Sequence, residues 1–202
     1  MQITILGTGH MATTLAGGFL AAGHTVTFGS RQPAAHTDLA APVLDTITSL
    51  EGADLVVNAL QAAFSLDTLT PIASALGGRV LLDIGNAVTP AFELMYPTES
   101  LGEKLQAALP NTRVVKSLNT LTGSVAVDQT SIPTGSSVFL SGDDADAKAL
   151  VAGLLDDLGW PSTQQIDLGG IGTARGPEHY FILFATLMQA FGNPNFNIKV
   201  IR

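Results

Sequence analysis

Gln2-Ile3-Thr4-Ile5-Leu6-Gly7-Thr8-Gly9-His10-Met11-Ala12 is the stretch on which the fold turns. Its first five residues read as a short buried strand. Met11 to Ala22, with Leu15, Phe19 and Leu20 on one side, predicts a helix. Between strand and helix stands the pattern Gly-x-Gly-x-x-Ala. Glycines there permit a tight turn and close backbone approach, and a helix N-terminus offers free N–H groups and partial positive charge to a pyrophosphate. Gly7, Thr8, Gly9, His10, Met11 and Ala12 are therefore candidate dinucleotide-binding residues, with His10 read as lining the groove rather than donating a proton.

The next strand, His24 to Phe28, leads into Gly29-Ser30-Arg31. An NAD enzyme places an acid here, on the adenosine ribose. A hydroxyl and a guanidinium suit a 2′-phosphate instead. Arg31 is also the first Lys or Arg of the chain, and the next is Arg79. The reading is NADP(H), with Ser30 and Arg31 on its phosphate.

Beyond Arg31 the sequence is loose from Gln32 to Pro42, with room for one short helix. Apolar runs predict strands over 54–60, 79–84, 113–117 and 136–140, with a last one within 161–166. Helices are expected over 65–76, 100–109, 143–158 and 178–191, followed by an extended tail over 195–201. Strands alternating with helices imply a doubly wound α/β sheet. No linker-like stretch divides it, so residues 1–202 are expected to form one domain with a small C-terminal helical portion from about residue 170. Ligands gather at the strand ends of such sheets, which adds Asn86, Asn119 and Thr120 as candidates for a carboxamide or a flavin edge.

The composition narrows the partners. Of 202 residues 46% are hydrophobic and 13% charged, so the chain is globular. A formal charge of −8 argues against nucleic acid and anionic membrane, which both need a basic face. The chain has no cysteine, which excludes disulfides, Cys-based zinc sites and thiol catalysis and fits a cytoplasmic protein. No basic leader opens the chain, and no apolar stretch reaches the roughly 18 residues of a membrane span.

The motifs resemble the NADPH-dependent F420 reductases (F420-dependent NADP oxidoreductases), their short relatives among dinucleotide-binding enzymes, and the cytosolic domain of the six-transmembrane metalloreductases. The matching pieces are Gly7 to Ala12, Gly29-Ser30-Arg31, Asp83-Ile84-Gly85-Asn86, Val114 to Thr120, Arg175 with Glu178, and Phe196-Asn197-Ile198-Lys199. The resemblance spans essentially the whole chain. It implies a Rossmann-type domain, usually homodimeric, with NADPH across the strand ends and a deazaflavin or flavin stacked on its nicotinamide. It also puts Asn58, Ala59 and Leu60 near that nicotinamide. Two turns depart from the family pattern: Asn58-Ala59-Leu60-Gln61 lacks the usual proline, and Gly85 and Ala87 replace a Thr and a Pro.

Other NADP chemistries fit poorly. The Tyr-x-x-x-Lys pair of short-chain dehydrogenases is absent, since Tyr96 meets Ser100 and Tyr180 meets Phe184. β-Hydroxyacid dehydrogenases and imine reductases need a long helical second domain, and few residues follow Ile166. Hydride exchange with a planar acceptor, coenzyme F420 or FMN, needs orientation rather than a dedicated acid and base, so no catalytic or metal-binding residue is assigned. A non-catalytic NADP(H) sensor and an imine or pyrroline-type reductase completed by dimerisation are the alternatives. Lys116 reads as a strand residue with its amine at the surface, and Arg175 with Glu178 as an ion pair fixing the last helix. Lys116, Arg175, Lys199 and Arg202 are the cations left to anchor the acidic tail of F420. His179 reads as packing. Trp160, Phe181, Phe184 and Phe191 read as core or dimer interface.

Overall fold

The computed structural model describes residues 1–201. Eight strands, β1 (Gln2–Leu6), β2 (Thr25–Ser30), β3 (Val43–Asp45), β4 (Leu55–Asn58), β5 (Val80–Asp83), β6 (Arg113–Lys116), β7 (Val138–Gly142) and β8 (Gln165–Asp167), form one sheet in the order 3-2-1-4-5-6-7-8. All neighbours are parallel except β6 and β7, which run antiparallel. This is the Rossmann-type doubly wound sheet expected, with the strand order reversing between β1 and β4.

The helices are α1 (His10–Ala21), α2 (Ser65–Leu69), α3 (Ala73–Leu76), α4 (Leu101–Ala108), α5 (Gly123–Val127), α6 (Ala145–Asp157) and α7 (Arg175–Phe191). They bury apolar side chains on both faces of the sheet. Leu15, Phe19, Val151, Leu155 and Trp160 pack with Ile3, Ile5 and Val57 on one face. Leu69, Leu76, Leu101, Leu105 and Ala174 pack with Val56, Leu81 and Val114 on the other. Each such side chain removed from water contributes on the order of 1.5–3 kcal/mol. Trp160 is wholly buried and donates its indole N–H to the Ala126 carbonyl at 2.9 Å, so it belongs to the core.

Several expectations shift. The helix expected over 65–76 is broken into α2, a 3₁₀ turn over Thr70–Ile72, and α3. Pro71 lacks an amide proton and its ring crowds the preceding turn. β3 is an unexpected short edge strand, and the last strand starts at Gln165, after a turn opened by Pro161. The final helix begins at Arg175, three residues early, with Pro177 tolerated in its first turn. The tail has no regular secondary structure and is tied to the segment at the start of β7: Ser137 N–H donates to Ile198 O, and Asn197 Nδ2 donates to Ser136 Oγ and Ser137 O. Among the described residues no helix is long and apolar enough to cross a membrane.

Candidate functional site

The β1–α1 turn is a tight one. Gly7 sits at φ +117°, and a Cβ there would lie 2.5 Å from the Ala59 carbonyl oxygen. The protein itself therefore demands glycine at 7. Gly9 is different. Its φ of −78° suits any residue, and a Cβ there would meet no atom within 4 Å. Nothing in the fold asks for glycine at 9.

Behind Gly9, α1 starts with no side-chain cap and no acid in its first turn. The first amides of a helix have no partner within it, and the helix dipole favours an anion at that end. Ala12 is buried, Met11 is half-buried, and His10 is exposed at the helix start. The arrangement fits a pyrophosphate.

A cleft of about 1010 Å³ opens beside this turn. Gly7 and Thr8 line it with Ser30, Arg31 and Gln32 on one side and Leu60, Gln61, Phe64 and Asp67 on the other. β1 and β2 are paired in register, Leu6 against Gly29, which brings the glycine turn and the Ser30-Arg31 pair to the same edge. The Ser30 hydroxyl accepts from the Gln32 amide at 3.1 Å, and the Arg31 side chain is exposed. The residues present thus fit the diphosphate and 2′-phosphate of NADP(H). His36, Phe64 and Thr46 also line this cleft and were not singled out by the sequence, because loop residues without a motif carry no signal.

The nicotinamide-end candidates behave otherwise. Asn58 is buried, and its Nδ2 donates to Ser65 Oγ at 3.0 Å and to Asp83 Oδ1 at 2.8 Å. Its side chain shapes the β4 end from within and does not reach into the cleft, whereas Leu60 does and the Ala59 carbonyl abuts Gly7. Asn119 and Thr120 lie past the end of β6, both buried. Asn86 and Asn119 bond to each other: Asn119 Nδ2 donates to Asn86 Oδ1 at 2.8 Å, and Asn86 Nδ2 to the Asn119 carbonyl at 2.7 Å. Leu118, just before, is buried at φ +60°, a conformation that costs a branched residue roughly 1–2 kcal/mol.

Lys116 corrects the expectation most. Its amine is not at the surface but wholly buried, 2.6 Å from Asp83 Oδ2, 2.8 Å from Glu178 Oε1 and 2.5 Å from the Gly85 carbonyl. Burial opposes its charge, but the carboxylates of Asp83 and Glu178 outweigh it and hold its pKa above the ordinary lysine value. Glu178 also accepts from the Leu101 and Gly102 amides at 2.8 and 3.0 Å, closing the start of α4. Arg175 and Glu178 therefore do not pair with each other. Arg175 forks onto Glu103, Nε to Oε2 at 2.8 Å and Nη2 to Oε1 at 2.5 Å, and that bond holds the Glu103 carboxyl below its ordinary pKa against the opposing effect of burial. Register explains the row: Asn58, Asp83 and Lys116 are direct neighbours at the carboxyl ends of β4, β5 and β6.

The model of the family described as NADP oxidoreductase, coenzyme F420-dependent, matches residues 2–87, from β1 through the Asn86 turn. A crystal structure from Arthrobacter sp. FB24, of a protein provisionally named an F420-dependent NADP-reductase, is 39% identical, with both chains fully covered and a TM-score of 0.93. The chain belongs to this family. Metalloreductase STEAP3 of Rattus norvegicus is 27% identical over 180 residues, 88% of this chain. The chain spans about a third of that curated relative, 36% of its length. An imine reductase of Bacillus cereus is 19% identical at a TM-score of 0.69, over 94% of this chain and 62% of its own, and shares the fold. The F420-dependent oxidoreductase family is one of NADP-dependent enzymes, and the cleft has the matching donors. Of the cations expected to meet an acidic acceptor tail, Lys116 and Arg175 are spent within the protein, Lys199 is exposed, and Arg202 lies outside the described residues.

Proposed function

We propose that this chain binds NADP(H) along the β1–β2 edge and exchanges a hydride with a planar acceptor, coenzyme F420 or a flavin. The observation that carries the reading is the open space at Gly9 over the bare start of α1, in the same cleft as Ser30 and Arg31. Gly7, Thr8, Gly9, His10, Met11 and Ala12 hold the diphosphate, and Ser30 with Arg31 hold the 2′-phosphate. Ala59 and Leu60 border the cofactor, and Asn58 acts behind them as a positioning residue. Asn86, Asn119 and Thr120 shape the far end. When bound, NADPH supplies a hydride from its nicotinamide. The protein contributes orientation and exclusion of water rather than an acid and a base.

The unit works as a homodimer in this reading. α7 exposes Ile182, Leu183, Met188 and Phe191, and Phe92, stacked on Phe181, is exposed beside it. A second copy would cover this surface and help enclose the acceptor. A cytoplasmic location is in keeping with the cysteine-free sequence.

Anaerobic mixing with NADPH and either F420 or FMN, followed by loss of acceptor absorbance, tests the activity. Reduction of either supports the reading and names the acceptor. With Lys116 and Arg175 committed elsewhere, FMN is as well supported as F420. No reduction of either by protein that binds NADPH overturns the enzyme assignment in favour of a sensor. Turnover of a cyclic imine instead favours the imine-reductase alternative. Light scattering that reports a monomeric mass at every concentration contradicts the dimer.

A further inference from the structure

His36 stands in the loop between β2 and β3, and its Nε2 lies 3.2 Å from Thr8 Oγ1. One ring thus spans from the loop that follows Ser30-Arg31 to the turn that would hold the diphosphate. His36 lines the same cleft as Ser30, Arg31 and Gln32. The charge balance of that cleft is poor for its proposed guest. Arg31 and Asp67 are the ionised side chains of its lining, and they cancel. NADP(H) brings a pyrophosphate and a phosphate monoester, and the whole chain is already at −8. His36 is the further lining group able to carry positive charge.

We propose that His36 is the second cation of the 2′-phosphate site, gripping NADP(H) as imidazolium and making affinity for NADPH fall as pH rises. This rests on the NADP(H) reading above. An imidazolium has two N–H donors. With Nε2 directed at Thr8, the Nδ1–H is left to a phosphate oxygen, and the bound phosphate in turn favours the charged ring. The charged groups that line the cleft with His36 are Arg31 and, on α2, Asp67. Asp38 follows in the same loop. Asp45, at the end of β3, spends its carboxylate on the Ile47 and Thr48 amides at 3.1 Å each. His10 is exposed at the start of α1. A second hollow that His36 also lines, with Pro33, Thr37 and Leu39 among others, has no Lys, Arg, Asp or Glu in its lining. Histidine ordinarily titrates near pH 6.5, inside the working range.

The test is calorimetric titration of NADPH and NADH between about pH 6 and about pH 8 with the parent, His36→Gln and His36→Arg. A phosphate monoester gains its second charge at about pH 6, so a site without a titrating cation should bind NADPH no worse as pH rises. The parent should lose about three- to tenfold in NADPH affinity over that range, the worth of up to one pKa unit. His36→Gln should bind weakly with no such fall, His36→Arg tightly with no such fall, and NADH should show none in any protein. A parent and His36→Gln with the same NADPH profile, or an equal fall for NADH, overturns the proposal while leaving the cofactor reading intact. Absence of NADPH binding at every pH overturns both.

Discussion

Two stretches of the sheet's carboxyl edge are built on opposite rules. At β1 and β2, among the described residues, the first-turn amides of α1 meet no side-chain cap, a Cβ at Gly9 would meet no atom within 4 Å, and the Arg31 side chain is exposed. At β4, β5 and β6 polar groups are spent on one another: Asn58 on Ser65 and Asp83, Lys116 on Asp83 and Glu178, Asn86 on Asn119. The first stretch has the makings of a site that receives charge from outside. The second keeps its own charges to fix the turns and dock α7. A residue's chemical type does not distinguish the two roles. Whether the fold has already satisfied it does.

The largest effect should come from Lys116→Met. It leaves Asp83 and Glu178 buried without their cation, and the loss of stability should be about 3–5 kcal/mol by denaturant unfolding. Arg31→Ala should change unfolding by less than about 0.5 kcal/mol. Equal losses for the two would erase the distinction between the stretches.

The two turn glycines sharpen it. Gly7→Ala combines a left-handed backbone with a clash on Ala59, and should cost about 1–3 kcal/mol of stability from strain alone. Gly9→Ala should unfold within about 0.5 kcal/mol of the parent yet bind NADPH at least roughly tenfold more weakly. Thermal melts beside cofactor titrations separate them. A stable Gly7→Ala, or a Gly9→Ala that binds normally, would break the assignment.

Asn119→Ala should cost roughly 0.5–1.5 kcal/mol for the lost bond to Asn86 and slow hydride transfer more than it weakens NADPH binding. Stopped-flow rates set against binding constants check this. The smallest effect concerns Glu103, whose carboxyl Arg175 holds below the ordinary 4.5. A depressed carboxyl contributes stability that is present above its unfolded value and lost as pH falls through the folded one. Arg175→Gln should therefore cost a little stability at neutral pH, only a little for so exposed a pair, and the difference from the parent should shrink as pH falls below about 4.5, read from unfolding midpoints.

Most of the sheet was legible in the sequence because β1, β4, β5 and β6 each carry a mostly apolar, buried centre: Ile3 to Leu6, Leu55 to Val57, Val80 to Leu82, and Val114 with Val115. β3 was not, since Val43-Leu44-Asp45 is too short to show a period and two of its three residues are exposed. The break at Pro71 was a local signal outweighed by the helical pattern around it. The glycine turn and the Ser30-Arg31 pair were legible because their spacing is set by one local strand–helix–strand unit. Lys116 was not. Its burial depends on Glu178, brought in from 62 positions away by α7, and no local pattern announces that. His36 escaped for a similar reason, since its place beside Thr8 is fixed by the path of an irregular loop.

The central claim is that the β1–β2 edge is an NADP(H) site whose selectivity rests on Arg31. Titrating NADPH and NADH against the parent and Arg31→Ala tests it directly. The parent should prefer NADPH, and the variant should lose most of that preference, on the order of 1.5–3 kcal/mol or roughly 10- to 150-fold for a charge-assisted contact. Equal affinity for both cofactors in the parent, or an unchanged ratio in Arg31→Ala, would contradict it.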